Sequence, residues 1–388
     1  MTFNKRIASI DVFRALVMLC MIFVNDLWSL SGVPHWLEHA AANEDFLGFS
    51  DIVFPSFLVV LGMSIPFAIE NRIRKGESKL QIVRHIILRS LALIVMGLFA
   101  VNTESSLSDT VGMSKVLFTT LMTVAFFMIW NDYGKSTSWS KYLHISLQIG
   151  GVVILVWLAA IFRDSNGAWM QTHWWGILGL IGWTYFLCAL IYLFVQKRFL
   201  INIIVLLLFV VLCMVGSNGM LGFFDGIIVG NGAFHVFVMV GLCVSLWFTM
   251  FDKTPANKKI LPVIISGGLM ILIGFLIRPF WIISKIAATP SWVLLCAGIA
   301  SICYAIVYWL VEMKNCERYF WLIKPAGTAT LTCYLLPCIV YNIFHFIGLE
   351  FPSVILQYPL GLLKSFAFAL LVIGITAASG KINIKLKI

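Results

Sequence analysis

Stretches of about twenty apolar residues recur along this chain, separated by short polar turns, and that recurrence limits the fold more than any other feature. A helix needs about 20 mostly apolar residues to cross a bilayer. Twelve segments qualify, near 12–31, 51–70, 81–101, 113–131, 143–162, 174–195, 199–217, 232–251, 259–278, 291–311, 324–347 and 353–378. Charged residues make up 11% of the chain and the mean hydropathy is +0.98. A soluble domain needs roughly 25% charged residues to cover its surface. A soluble enzyme, a nucleic-acid binder and a disordered chain are thereby excluded. The expected fold is an all-α polytopic membrane bundle of about 11–12 transmembrane helices, forming a single domain over 1–388.

The net charge of +10 then reads as topology, because lysine and arginine collect in cytoplasmic loops. With the N-terminus inside, twenty of them fall on the inner side, and only Lys115, Arg163, Arg278 and Lys285 on the outer. Arg14, Arg89 and Lys364 fall within spans. This bias predicts both termini in the cytoplasm. The first apolar run is too long for a cleavable signal peptide and carries Arg14, Asn25 and Asp26. Eight of the nine cysteines lie inside apolar runs with no C-x-x-C spacing, which predicts apolar filler and no metal site.

Polar groups in hydrocarbon are costly, so they mark candidate chemistry. The helical hairpin 10–70 is the richest. It begins SIDVFRALVMLCMIFVND and continues through the segment that carries His35 and His39, to SDIVFPSFLVVLGMSI. Asn25, Asp26, His35, His39 and Asp51 all approach its outer mouth. Five of the seven histidines, His35, His39, His173, His235 and His345, map to the outer side. Histidine exchanges protons near neutral pH, and five on one face predict a shared polar cavity.

The order S-I-D-V-F-R-A-L, then V-N-D, then E-H-A, then D-I-V-F-P-S-F-L-V-V-L-G-M-S-I resembles the heparan-α-glucosaminide N-acetyltransferase family of transmembrane acyltransferases. The later stretches ISKIAATPSWVLLCAGI, YWLVEMK and KPAGTATLTCYLLP are similar to that family's C-terminal pattern. WWGILGLIGWTY and GNGAFHVFVMVG resemble its bacterial branch, so the likeness runs along nearly the whole chain. It implies transfer of an acetyl group from cytosolic acetyl-CoA to a glucosamine amine across the membrane, in a bacterial inner membrane. The family's active histidine falls on His39, its V-N asparagine on Asn25, and the aspartate of D-[LI]-V-F-P on Asp51. Two departures stand out. Glu38 precedes His39 where the family has lysine, and Ala329 replaces a common asparagine.

The residues suit acyl transfer on chemical grounds as well. An amine or alcohol attacks a thioester poorly until a base removes its proton. His39 can be that base or a transient acetyl carrier, Asp51 can orient it, and Asn25 can donate to the developing oxyanion. Coenzyme A carries phosphates that favour a basic surface, which makes Arg14, Arg72, Arg74 and Lys75 its candidate partners. Arg14 is preferred among them, since a charge within a span is wasteful as a mere topology signal. Lys285, with Arg278, suits an acidic sugar, and His235 and Asp26 are further acceptor-side candidates. The partners expected are acetyl-CoA, an amino sugar or glycan and the lipid bilayer. The same sequence admits a homodimer, and a twelve-helix secondary transporter for a sugar is the main rival.

Overall fold

The structure, a computed structural model, describes residues 7–104, 107–108, 111–134, 138–220, 229–251 and 254–388. Among them the regular structure is helical, with β-pairing confined to isolated bridges. The long helices are α1 (Ala8–Asp26), α2 (Ser50–Arg74), α3 (Lys79–Asn102), α4 (Lys115–Trp130), α5 (Ser138–Ile161) and α6 (Gly176–Val195). They continue as α7 (Phe199–Ser217), α8 (Ala233–Met250), α9 (Ala256–Ile277) and α10 (Pro290–Tyr308). The last part holds a short α11 (Lys324–Thr328), then α12 (Thr330–Phe346), a short α13 (Ser353–Leu356) and α14 (Leu360–Lys381).

The expected membrane bundle is therefore present, and each expected span has its helix in the expected order. Ten helices are long and apolar enough to cross a membrane among the described residues, while α4 and α12 are shorter. Local chemistry explains both. Ser114 caps α4 by accepting from the Leu117 N–H, so that helix starts only at Lys115. The expected span 324–347 is broken at Ala329, whose backbone leaves the helical region between α11 and α12. The expected span 353–378 likewise starts late, at Leu360, after the separate turn α13.

Apolarity alone does not say which helices face lipid; packing does. In its most apolar window α8 is 89% buried by protein, against 17% for α5. Helices α1, α2, α8 and α10 pack on one another as the centre, and α5, α7 and α9 present long apolar faces outward. Without water between them, membrane helices associate through close backbone approach. Gly62 of α2 and Gly241 of α8 meet in this way. A Cβ on Gly62 would collide with the Val238 carbonyl, and one on Gly241 with that of Val59.

The start of α1 and the last residues, 383–388, lie at one end of the bundle. The carbonyl of Asp11 approaches Gly327, and the Leu386 N–H donates to Thr332 Oγ1 at 2.8 Å. Residues 383–387 run beside 130–132, with the Asp132 N–H donating to the Lys385 carbonyl and the Lys387 N–H to that of Trp130. This is the basic end; the opposite one carries His39.

Candidate active site

The segment from Leu27 to Phe49 crosses the end of the bundle between α1 and α2. It is held by two single-turn 3-10 helices (Leu27–Ser29 and His35–Leu37) and by a Phe49 N–H bond to the Trp36 carbonyl at 2.8 Å. Ser50 Oγ donates to the Leu37 carbonyl. Gly48 lies so close to the Glu38 carbonyl that a Cβ there would collide with it. That approach folds His39 back over the start of α2.

Asp51, in the first turn of α2, is the fixed point. Its side chain is 1% exposed. Oδ1 lies 2.7 Å from His39 Nδ1, and Oδ2 accepts the N–H groups of Ala40 at 3.1 Å and Gly48 at 3.3 Å. The Trp292 indole N–H and the Cys296 thiol both approach the Asp51 carbonyl from α10. A carboxylate is favoured at a helix N-terminus, and a tautomer whose Nδ1–H donates to it presents Nε2 as the acceptor. The His39 side chain is 49% exposed, so the ring is open to a reactant.

A third group arrives from 246 residues along the chain. Lys285 Nζ lies 3.1 Å from His39 Nδ1, 3.5 Å from Nε2 and 3.8 Å from Asp51 Oδ1. Its segment is docked onto the His39 loop. Arg278 Nε donates to Asp45 Oδ2 at 2.8 Å, the Ile283 N–H to Asp45 Oδ1 at 2.8 Å, and Ser284 Oγ to the Ala42 carbonyl at 2.9 Å. Burial pushes the Lys285 ammonium below the ordinary lysine range, and the Asp51 carboxylate and Cys296 oppose that only in part. Burial raises the Asp45 carboxyl, but the Ile283 N–H and the Arg278 guanidinium outweigh it and hold it below the usual carboxylate value.

The structure thus brings His39, Asp51 and Lys285 together, and the other expected residues go elsewhere. Asn25 is exposed in the last turn of α1 and makes no side-chain hydrogen bond to His39 or Asp51. Asp26 is buried and bonded to Lys364. His235 is buried at the start of α8, stacked on Phe209 at 5.0 Å with Nδ1 unpartnered. Arg278 is taken by Asp45. His35 bonds to Glu44 and stacks on Phe46, so the expected shared cavity of histidines does not form around His39.

At the basic end, Arg14 is half-buried and reaches Asp11 at 2.9 Å, Ser64 Oγ at 2.6 Å and the Gly327 carbonyl at 3.1 Å. Arg72 pairs with Glu77, Arg74 with Asn71, and Lys75 is exposed at the end of α2. Two cavities open nearby. One, of about 720 Å³, lies between the start of α1 and residues 311–324, beside Trp321 and Lys324. The other, of about 380 Å³, is edged by Lys385 and Lys387 and runs inward past Arg89 to Phe57 and Ile177. Phe57 follows Asp51 by six residues, about 9 Å along the axis of α2 at 1.5 Å per residue. Arg89, Lys364 and the C-terminal lysines are residues to which sequence reasoning gave no role at the site, although it placed the first two within spans. The signal for the first two was the one that singled out Arg14, a charge inside an apolar span. Among the described residues no group of three His, Cys, Asp or Glu side chains is arranged to hold a metal ion.

The protein is a polytopic helical membrane protein, with a half-exposed histidine bonded to a buried aspartate at one end of the bundle. Residues 6–230, more than half of the chain, match the family described as Domain of unknown function (DUF5009), and the chain belongs to that family. It is also similar to heparan-alpha-glucosaminide N-acetyltransferase of Mus musculus, 34% identical over 99 residues, and of Homo sapiens, 35% over 98. Each match covers 25% of this chain and 14% of the relative. The resemblance read from the motifs is thereby borne out, although in these two relatives a quarter of the chain carries it.

Proposed function

We propose that the protein is a membrane-embedded acyltransferase. It takes an acetyl group from acetyl-CoA at the basic end of the bundle and delivers it to an amino sugar or glycan at the His39 end. The orientation that suits this has both termini in the cytoplasm of a bacterial inner membrane. The observation that carries the reading is the Asp51–His39 pair. A buried carboxylate fixes one nitrogen of a half-exposed ring, the arrangement a general base needs.

His39 Nε2 takes the proton from the acceptor amine or hydroxyl as it attacks the thioester carbonyl, and returns that proton to the departing thiolate. Asp51 holds the tautomer and stabilises the imidazolium between those two steps. The 380 Å³ cavity supports a donor path, since it starts between lysines and ends about two helical turns from Asp51. Phosphates would meet Lys385, Lys387 and Arg89 there. Similarity to an N-acetyltransferase supports the same chemistry.

The test is acetyl transfer across sealed vesicles that contain the purified protein, with labelled acetyl-CoA on one side and glucosamine on the other. N-acetylglucosamine is expected with the natural chain and not with His39→Ala. Glucosamine that accumulates without being acetylated would replace this reading with the transporter.

A further inference from the structure

Lys285 sits where a simple topology charge or a lipid anchor would not. Its side chain is 27% exposed and reaches past the surface to the ring of His39. Its ion pair with Asp51 is a long one. The separation is 3.8 Å, and the carboxylate oxygens are already occupied by His39, Ala40 and Gly48. The charged and titratable groups around it come from three elements: His39 from the 27–49 segment, Asp51 from α2 and Cys296 from α10. Glu44 and Asp45 of the same loop are engaged with His35 and with Arg278 and Ile283. A largely buried ammonium is thus held beside the half-exposed ring that Asp51 orients.

We propose that Lys285 is a catalytic residue, whose ammonium stabilises the negative charge that builds on the attacked carbonyl oxygen as an acyl group is transferred at His39. The inference rests on the acyltransferase reading above. Nζ lies almost equally far from the two ring nitrogens, alongside the imidazole. A carbonyl carbon attacked by a nucleophile whose proton goes to Nε2 must lie near that nitrogen, so its oxygen falls within reach of Nζ. In the step, the acceptor nitrogen bonds to the carbonyl carbon and the C=O π pair moves to oxygen beside Nζ. The proton from nitrogen goes to Nε2. The oxyanion then collapses, the C–S bond breaks, and the thiolate takes the proton from Nε2. Amide and thiol are the products and nothing is left over.

Preorganised charge of this kind acts where charge develops and is typically worth about 10²–10³ in kcat. Arginine keeps a charge at any accessible pH, whereas lysine loses it when burial depresses its basicity. The two therefore differ in pH profile, which a merely structural cation would not.

The experiment uses the full chain in lipid nanodiscs with acetyl-CoA and glucosamine, and compares Lys285→Met and Lys285→Arg with the natural protein. Lys285→Met is expected to lower kcat about 10²–10³-fold with KM changed less than about threefold, and Lys285→Arg to keep kcat within about tenfold. The natural protein should lose activity with rising pH before an ordinary lysine would, and Lys285→Arg should lack that alkaline fall. If Lys285→Met unfolds, the alkaline limb of the arginine variant still decides. An unchanged kcat in Lys285→Met, or an unchanged alkaline limb in Lys285→Arg, overturns the proposal. No acetyl transfer by the natural protein, with no release of CoA from acetyl-CoA, sinks the acyltransferase reading itself.

Discussion

Lys364 Nζ lies 2.8 Å from Oδ2 of Asp26 and 3.1 Å from Oδ1, joining α14 to the end of α1 across 338 residues of sequence. Both side chains are buried, 7% and 0% exposed. Ser29 Oγ adds a bond at 2.8 Å, and the rings of Tyr341, Phe351 and Phe368 stand 5.4–5.9 Å from the ammonium. The pair fixes the end of the helix from which the His39 loop departs. It does so away from the reactive ring, which is how a charge inside a span can be structural.

Removing one partner strands the other, and a buried charge left unpaired costs about 3–5 kcal/mol. Lys364→Met and Asp26→Leu should each lower the melting temperature markedly in detergent. The double variant Asp26→Leu/Lys364→Met should recover most of the loss, because two apolar side chains replace a pair whose desolvation offsets much of its attraction. A double variant as unstable as the sum of the singles would show that the two residues act independently.

At the site the effects should fall on turnover and not on folding. His39 is half-exposed, so His39→Ala should melt like the natural protein and transfer no acetyl group. Asp51→Asn keeps the size of the buried side chain but lets the ring adopt the wrong tautomer. By analogy with other histidine–aspartate pairs it should reduce kcat by about 10³–10⁴. Steady-state rates and thermal melting on the same samples check this. A stable Asp51→Asn with normal kcat would remove the orienting role.

What the sequence made legible follows from what a membrane demands. Helices are readable because every one must be apolar for its length, and so each of the twelve expected segments meets a helix in order among the described residues, ten of them long enough to cross a membrane. His39 and Asp51 were readable because they flank one short segment, where motif order stands in for proximity. Long-range contacts were not. Lys285 was expected to meet an acidic sugar with Arg278, yet Arg278 is held by Asp45, and Lys285 crosses to His39 because Ser284 and Ile283 tie their segment to the loop. Asp26 was expected at the acceptor, and its partner lies 338 residues away. Asn25 shows the converse limit. Its place in the motif is next to Asp26, but on a helix adjacent residues point about 100° apart, so one is buried and the other exposed.

The crossing of α2 and α8 gives a prediction independent of chemistry. Gly62 and Gly241 each face a carbonyl of the opposite helix with no space for a methyl group. Gly241→Ala should push the helices apart and destabilise by about 1–3 kcal/mol, as overpacked cores do. Because α2 carries Asp51 at its far end, kcat should fall as well. A melting temperature equal to that of the natural protein would mean that the contact relaxes without cost.

Asp45 links pH to the placement of Lys285. Its folded carboxyl is held below the ordinary value by the Ile283 N–H and the Arg278 guanidinium, acting against burial. A depressed acid contributes stability that is fully present above its unfolded pKa, about 3.9, and is lost as pH falls through the lower folded value. Docking of residues 278–289 should therefore be constant between about pH 5 and 8 and loosen only in stronger acid. Hydrogen exchange at the Ile283 amide, whose N–H is bonded to Asp45 Oδ1, reads this directly. After correction for intrinsic rates, protection should be flat over that range in the natural protein and lower throughout in Asp45→Ala. The same variant should lose about tenfold or more in kcat, since a displaced Lys285 forfeits part of the roughly 10²–10³ assigned to its charge. If Ile283 exchanges freely in Asp45→Ala while kcat is unchanged, docking of the segment is not what positions the ammonium.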